Sequence, residues 1–142
     1  MPRVAVVLAL ALIACSGSSD ADHKMCTMVD PSCTPTVTPT YDAIYDAILQ
    51  PKCARAGCHD AQASDTNLFL FDRDLGYRLL LGQNGGAALV NPGDADCGEL
   101  MVRLESQSFG YQMPPGDPLP AGEIYAIYQW IEDGAQRYTQ TP

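Results

Sequence analysis

Two cysteines and a histidine lie close together in the segment KCARAGCHDA, which covers residues 52–61. Cys53 and Cys58 stand five positions apart, and His59 follows the second cysteine directly. Thiols and an imidazole at this spacing could form a disulfide, ligate a metal ion or hold a haem covalently. The elements that position this Cys–Cys–His cluster therefore decide between three chemistries.

An amphipathic helix is predicted immediately before the cluster. Its apolar stripe consists of five residues at helical spacing, namely Tyr41, Ile44, Tyr45, Ile48 and Leu49. Thr40 can cap the start of this helix with its side-chain oxygen, and Pro51 is expected to end it. The helix leads the chain directly to Cys53.

Three further helices are predicted downstream, over residues 73–81, 94–106 and 122–133. Apolar residues at helical spacing define them, and Gly134 is a typical C-terminal stop for the last one. Because no alternation with a period of two predicts a strand, the fold class is all-α with long connections rich in Gly and Pro. Short helices give residues 41–137 a thin core, and small domains of this kind usually contain a staple or a large bound group.

The order of these elements resembles that of class I cytochromes c. A helix, a Cys–Cys–His turn, a Met-Pro loop and a closing helix follow one another, although the spacing here is C-x4-C-H and the usual signature is C-x-x-C-H. The segments ILQPKCARAGCHD, VNPGDADCGELMVRLE and QMPPGDPLPAGEIYAIYQWIEDGA resemble the cytochrome-c-like domains of planctomycete and myxobacterial exported proteins. This resemblance covers residues 41–135 and implies a small cytochrome c-like domain, with short helices wrapped around one covalently attached haem.

By this resemblance, Cys53 and Cys58 would form the thioethers of a haem c, with His59 as the proximal iron ligand and Met113 as the distal one. A methionine ligand raises the reduction potential relative to a second histidine. With both axial positions filled, the resemblance implies a one-electron carrier and not an enzyme. Met101 is the alternative distal ligand, but its position on a helical stripe favours a role in the core. If neither methionine binds, a vacant iron would permit peroxide or gas chemistry.

The cysteines also permit several disulfide pairings. A disulfide between Cys53 and Cys58 would staple a haem-free surface interaction domain in place of the haem. Cys26 and Cys33 are expected to close a small disulfide loop, since two nearby thiols outside the cytoplasm usually pair. Cys97 is either a buried thiol or the partner of Cys26 or Cys33.

The first residues resemble a bacterial lipoprotein signal peptide over residues 1–14. The apolar run Val4–Ile13 fits an h-region and is too short to span a bilayer. It leads into LIAC, which resembles a lipobox, so Cys15 would be lipidated and would anchor the mature chain. Residues 15–40 have the composition of a flexible tether, and residues 138–142 form a tail. We therefore expect an exported outer-membrane lipoprotein that faces the periplasm or the cell surface.

The charge balance restricts the partners. The chain has 17 acidic and 8 basic residues, for a formal charge of −9. This balance disfavours nucleic-acid binding, which needs Lys and Arg against phosphates, and favours a redox partner with a basic docking surface. No Ser-His-Asp set, phosphate-binding glycine loop or paired-carboxylate motif supports hydrolase chemistry. The sequence leaves the oligomeric state open.

Overall fold

A computed structural model describes residues 29, 32–62, 67–108 and 110–138. The helices are α1 (Tyr41–Ile44), which continues as a π-helix (Tyr45–Cys53), then α2 (Arg73–Leu80), α3 (Glu99–Glu105) and α4 (Ala121–Glu132). Within the described ranges, β pairing is confined to one isolated bridge between Asn91 and Asp94. The predicted all-α class is confirmed. The predicted signal peptide and Cys15 lie outside the described residues.

The first helical segment follows its predicted stripe but not its predicted end. All five stripe residues are buried, and Thr40 accepts a hydrogen bond from the Ala43 amide, as expected of the cap. Pro51 does not end the helix, so that prediction is wrong: the chain widens into a π-helix that contains this proline. In an α-helix the proline ring would clash with the carbonyl four residues earlier. The wider turn avoids this clash, and the Ala54 amide donates to the Leu49 carbonyl at 2.9 Å.

Helices α2 and α4 lie within one residue of their predicted bounds. Gly82 follows α2 with a φ of 68°, and Gly134 follows α4 with a φ of 91°. Both values lie in the left-handed region that glycine adopts without steric cost. The two glycines therefore end their helices as the sequence predicts. Pro120 occupies the N-cap position of α4, and no side chain caps this end.

Helix α3 is shorter than predicted, because it begins at Glu99 and not near residue 94. The residues before it form turns, in which the Gly98 amide donates to the Ala95 carbonyl at 3.3 Å. The Ala95 amide is taken by the carboxylate of Glu132 on α4, at 2.7 Å. Tertiary hydrogen bonds thus hold residues 95–98 in a turn that helical periodicity alone does not reveal.

Four aromatic rings pack together in the core, around Tyr41. The Tyr41 ring lies 4.8 Å from the ring of Tyr77, 5.6 Å from that of Trp130 and 5.9 Å from that of Tyr45. Met101 is also fully buried, which confirms its predicted place in the core. None of the helices in the described ranges is long and apolar enough to cross a bilayer.

The chain before α1 contacts the domain. The Thr36 amide donates to the Gly122 carbonyl at 3.2 Å, and Val37 packs against the core. A Cβ at position 122 would lie only 2.6 Å from the Thr36 methyl group, so this close approach requires glycine. The contacts of the domain therefore reach back into the segment that composition predicts to be a tether.

The structure tests the predictions for the cysteines outside the cluster. Cys97 is disulfide-bonded, and Cys33 is a free thiol. The predicted disulfide between Cys26 and Cys33 is therefore wrong, and Cys97 is neither a free buried thiol nor the partner of Cys33. Because the remaining described cysteines are free, the partner of Cys97 lies outside the described residues, as does Cys26. Proximity in sequence did not identify the pair.

Candidate functional site

A cavity of about 670 Å³ lies between the Cys–Cys–His loop, α3 and the loop that carries Met113. Its volume falls in the range of roughly 300–1,000 Å³ that is typical of small-molecule and cofactor sites. Cys53, Cys58, His59 and Met113, the four ligand candidates from the sequence, all line this cavity. Much of the remaining wall is leucine, namely Leu49, Leu68, Leu70, Leu80, Leu89, Leu100, Leu104 and Leu119.

Backbone hydrogen bonds shape the loop between the two cluster cysteines. The His59 amide donates to the Cys53 carbonyl at 3.1 Å, which closes the loop, and the Cys58 amide donates to the Arg55 carbonyl at 2.9 Å. Gly57 has a φ of 76°, and a Cβ there would meet no atom within 4 Å, so its role is conformational and not steric. The two residues beyond a C-x-x-C-H spacing are accommodated in this turn.

His59 is held by the segment that follows the loop. Its Nδ1 lies 3.0 Å from the Leu68 carbonyl oxygen, and its own carbonyl accepts a hydrogen bond from the Leu70 amide at 2.8 Å. Since a carbonyl oxygen only accepts, Nδ1 carries the proton in this hydrogen bond, and Nε2 keeps the lone pair that a metal needs. Such a second partner fixes the tautomer and orientation of a metal-binding histidine.

The two cluster cysteines are free thiols and are not bonded to each other. Cys58 is exposed, whereas Cys53 is half-buried at the end of the π-helix. Burial, with a smaller effect of the neighbouring Cys58, raises the pKa of Cys53 to about 11. The Cys53 thiol is therefore neutral at physiological pH, which suits the apolar wall that it joins.

Met113 reaches the cavity from the loop between α3 and α4. Its amide donates to the Arg103 carbonyl at 2.9 Å. The next residue, Pro114, also lines the cavity, and the Met113–Pro114 peptide bond is cis. Met101, the alternative ligand from the sequence, is buried in the core and is not among the lining residues. The tertiary structure thus places Met113 at the cavity and Met101 in the core.

Three charged side chains on the cavity wall were not singled out by sequence reasoning. Lys52 donates to both carboxylate oxygens of Glu123 at 2.7 Å, and the Arg103 Nε donates to Glu99 at 2.8 Å. The spacing of Glu99 and Arg103, four residues apart on a helix, was a signal that could have found this pair. All three charges on the wall, Lys52, Glu99 and Arg103, have partners, so the cavity presents paired charges at an otherwise largely apolar wall.

The segment after α2 forms another side of the cavity, through Ala87, Ala88 and Leu89. It folds back because the Leu89 and Val90 amides both donate to the Leu80 carbonyl at 2.9 Å. The reversal depends on Gly82, since a Cβ there would lie 2.9 Å from the Ala88 nitrogen. Small side chains at positions 87 and 88 are exposed and give the cavity an apolar edge at the surface.

Among the described residues, no group of three or more His, Cys, Asp or Glu side chains is arranged to hold a metal ion. His23, which lies in the predicted tether, is outside the described residues. No protein-family model matches the chain, and no curated protein or solved structure matches it either.

Proposed function

We propose that this protein is a monohaem c-type cytochrome that transfers single electrons. The observation that carries the proposal is that Cys53, Cys58, His59 and Met113 line one cavity of about 670 Å³. They supply two thiols, an imidazole and a thioether, which is the donor set of a covalently attached haem with His/Met ligation. The sequence groups these four residues only through the resemblance to class I cytochromes c. Their position around one cavity is a separate, geometric observation.

The residues around the cavity fit such a group. The leucine-rich wall suits the apolar face of a porphyrin, and both cluster thiols are free to react. In the attachment step, each S–H adds across one vinyl C=C bond: an S–C bond forms, and the hydrogen goes to the neighbouring carbon. No oxidant or reductant is needed for this addition. His59 would hold the iron through Nε2, because Nδ1 is hydrogen-bonded to the Leu68 carbonyl at 3.0 Å.

The haem would supply the one-electron chemistry, and the polypeptide would set its environment. Met113 as the distal ligand raises the potential relative to a second histidine and closes the iron to substrates. A closed iron restricts the protein to outer-sphere transfer, so we propose an electron carrier and not an enzyme. The formal charge of −9 supports a redox partner that docks through a basic surface.

We also propose that the carrier is exported and anchored by lipid at Cys15, facing the periplasm or the cell surface. The support is the sequence of residues 1–15, an apolar run followed by LIAC. The signal peptide and the anchor are testable together, because cleavage and acylation change the mass of the mature N-terminus. A Cys15→Ser variant is expected to stay unacylated and to leave the membrane fraction.

Expression of the full chain with haem-maturation machinery tests the proposal. We expect a Soret absorption that survives denaturation and acid-acetone extraction, and a mass that exceeds the lipidated polypeptide by one haem. The reduced protein should not bind carbon monoxide rapidly, because Met113 occupies the distal position. A colourless protein with a disulfide between Cys53 and Cys58 would overturn the proposal in favour of a haem-free interaction domain. A pigmented protein that binds carbon monoxide at once would instead indicate a vacant distal site.

A further inference from the structure

The loop that carries Met113 is attached to α3 by a set of contacts that the proposed haem ligation does not itself require. The loop comprises residues 110–118, and its contacts to α3 come from Tyr111 and Met113. The Met113 amide donates to the Arg103 carbonyl at 2.9 Å. The Tyr111 hydroxyl donates to the Glu99 carboxylate at 2.9 Å. The Arg103 guanidinium lies over the Tyr111 ring, 4.1 Å from its centroid.

These contacts form one connected unit, because Arg103 and Glu99 are themselves paired. The Arg103 Nε donates at 2.8 Å to Glu99 Oε1, the oxygen that also accepts from Tyr111. The carboxylate thus orients the guanidinium and the phenol at once, and the stacked ring covers the guanidinium.

The position of the unit in the fold makes it more than a surface ion pair. Glu99 and Arg103 stand one turn apart on α3 and both line the cavity, whereas Tyr111 lies two residues before Met113. Side-chain exposure is 23% for Glu99 and 35% for Arg103, so the pair is partly buried at the edge of the cavity. The charged unit therefore holds the backbone of the Met113 loop against a rigid helix at the edge of the cavity.

We propose that Glu99, Arg103 and Tyr111 form a clamp that positions Met113 as the distal ligand. The inference rests on the proposed function and goes beyond it by naming the residues that keep the methionine on the iron. They are positioning residues, since they act through the loop and not on the iron. Without the clamp, the loop still carries Met113, but the sulfur leaves the iron more often.

The test compares two Tyr111 variants of the pigmented protein. Tyr111→Phe removes the hydroxyl bond to Glu99 and keeps the ring on Arg103, whereas Tyr111→Ala removes both contacts. Carbon monoxide binds the reduced iron only after Met113 leaves, so its binding rate reports the dissociated population. We expect the rate to rise about threefold in Tyr111→Phe and about tenfold or more in Tyr111→Ala. The methionine-to-iron absorption near the red end of the spectrum should weaken in the same order.

Two further measurements separate positioning from general destabilisation. Hydrogen exchange at the Met113 amide should accelerate in parallel with carbon monoxide binding, since that amide is bonded to the Arg103 carbonyl. Tyr77→Phe is the matched control, because it removes a tyrosine hydroxyl bond to the Ala135 carbonyl at 3.0 Å, far along the chain from the Met113 loop. This control should lower the stability of the domain without changing the carbon monoxide rate.

The outcomes distinguish this inference from the proposed function. Wild-type rates and absorption in Tyr111→Ala would overturn the clamp and leave the cytochrome intact. A pigmented wild type without methionine ligation would also overturn the clamp, while covalent haem attachment would stand. A wild type without pigment would overturn the proposed function itself, and the clamp with it.

Discussion

The two ends of the first helical segment lie in different environments. At the N-terminal end, Tyr41 and Tyr45 are buried, and the ring of Tyr41 packs against Tyr77 and Trp130. At the C-terminal end, Leu49 and Cys53 face a cavity of about 670 Å³. The same helix therefore serves a filled aromatic core at its start and an open, apolar-lined volume at its end.

The two ends of the segment therefore differ in what their side chains contact. At the aromatic end, side chains fill the interior. The Tyr41 hydroxyl donates to the Arg73 carbonyl, and the Tyr45 hydroxyl donates to the Leu70 carbonyl. The cavity end is instead lined mostly by leucines around about 670 Å³, a volume typical of a small-molecule or cofactor site. A large apolar group bound in the cavity would supply apolar contacts at the C-terminal end of the segment, as the aromatic rings do at its N-terminal end.

The largest expected effect follows from removal of the proposed haem attachment sites. The double variant Cys53→Ser/Cys58→Ser has no sulfur for thioethers, so we expect complete loss of covalently bound pigment, measured by haem staining after denaturing electrophoresis. Cys33→Ser is the matched control, since Cys33 is a free thiol that does not line the cavity. Full pigment in the double variant, or its loss in the control, would contradict the assignment of the cavity.

A second variant attacks the filled end. Trp130→Ala removes a buried ring and its hydrogen bond to the Gln136 carbonyl, at 2.8 Å. Removal of such a side chain usually costs about 3–5 kcal/mol of unfolding free energy. Denaturant titration of the pigmented protein should report this loss, while the haem stays attached in the folded fraction. A loss below about 1 kcal/mol would show that the aromatic end does not carry the stability that its packing suggests.

The two methionines sharpen the comparison, because Met101 is buried in the core and Met113 lines the cavity. Met101→Ala should lower the unfolding free energy by about 2–5 kcal/mol, since the side chain is fully buried. It should leave the methionine-to-iron absorption unchanged. Met113→Ala should abolish that absorption and cost less stability, because Met113 is only half-buried. The reverse pattern would move the distal ligand to Met101.

The smallest effect near neutral pH concerns the tyrosines of the filled end. Burial raises the pKa of Tyr41, Tyr45 and Tyr77 above the ordinary value of 10.0. Below pH 10 these tyrosines are neutral in both folded and unfolded chains, so their contribution to stability is fully present there. Above that pH the unfolded chain loses protons that the folded chain retains, and stability falls. Denaturant midpoints between pH 8 and about 11.5 should show this decline.

Tyr41→Phe and Tyr138→Phe provide the matched pair for the pH measurement. Tyr41 is fully buried, so its replacement should flatten the alkaline decline, whereas Tyr138 is 64% exposed and serves as the surface control. Equal slopes in both variants would place the cause of the decline outside the aromatic group.

The turns and the disulfide show where prediction from sequence reaches its limit. The stripe of the first helical segment, the end of α4 and the burial of Met101 follow from local periodicity and glycine positions, and all three are confirmed. The π-helix through Pro51 and the late start of α3 were missed, because hydrogen bonds across the wider turn and from the Ala95 amide to Glu132 decide them. The sequence left Cys97 either a buried thiol or the partner of Cys26 or Cys33, and only the folded structure shows that it is disulfide-bonded, since pairing depends on distance in space.

The sequence alone determined the residue types of the candidate site. It identifies two thiols, an imidazole and a Met-Pro loop, together with their spacings along the chain. That these residues line one cavity is a property of the tertiary structure. His59 and Met113 are far apart along the chain, and only the packing of α3 and its loop places both on the cavity wall. The proposed clamp of Glu99, Arg103 and Tyr111 likewise depends on the tertiary structure. Local sequence shows that Glu99 and Arg103 face each other on a helix, but only the folded chain brings Tyr111 onto them.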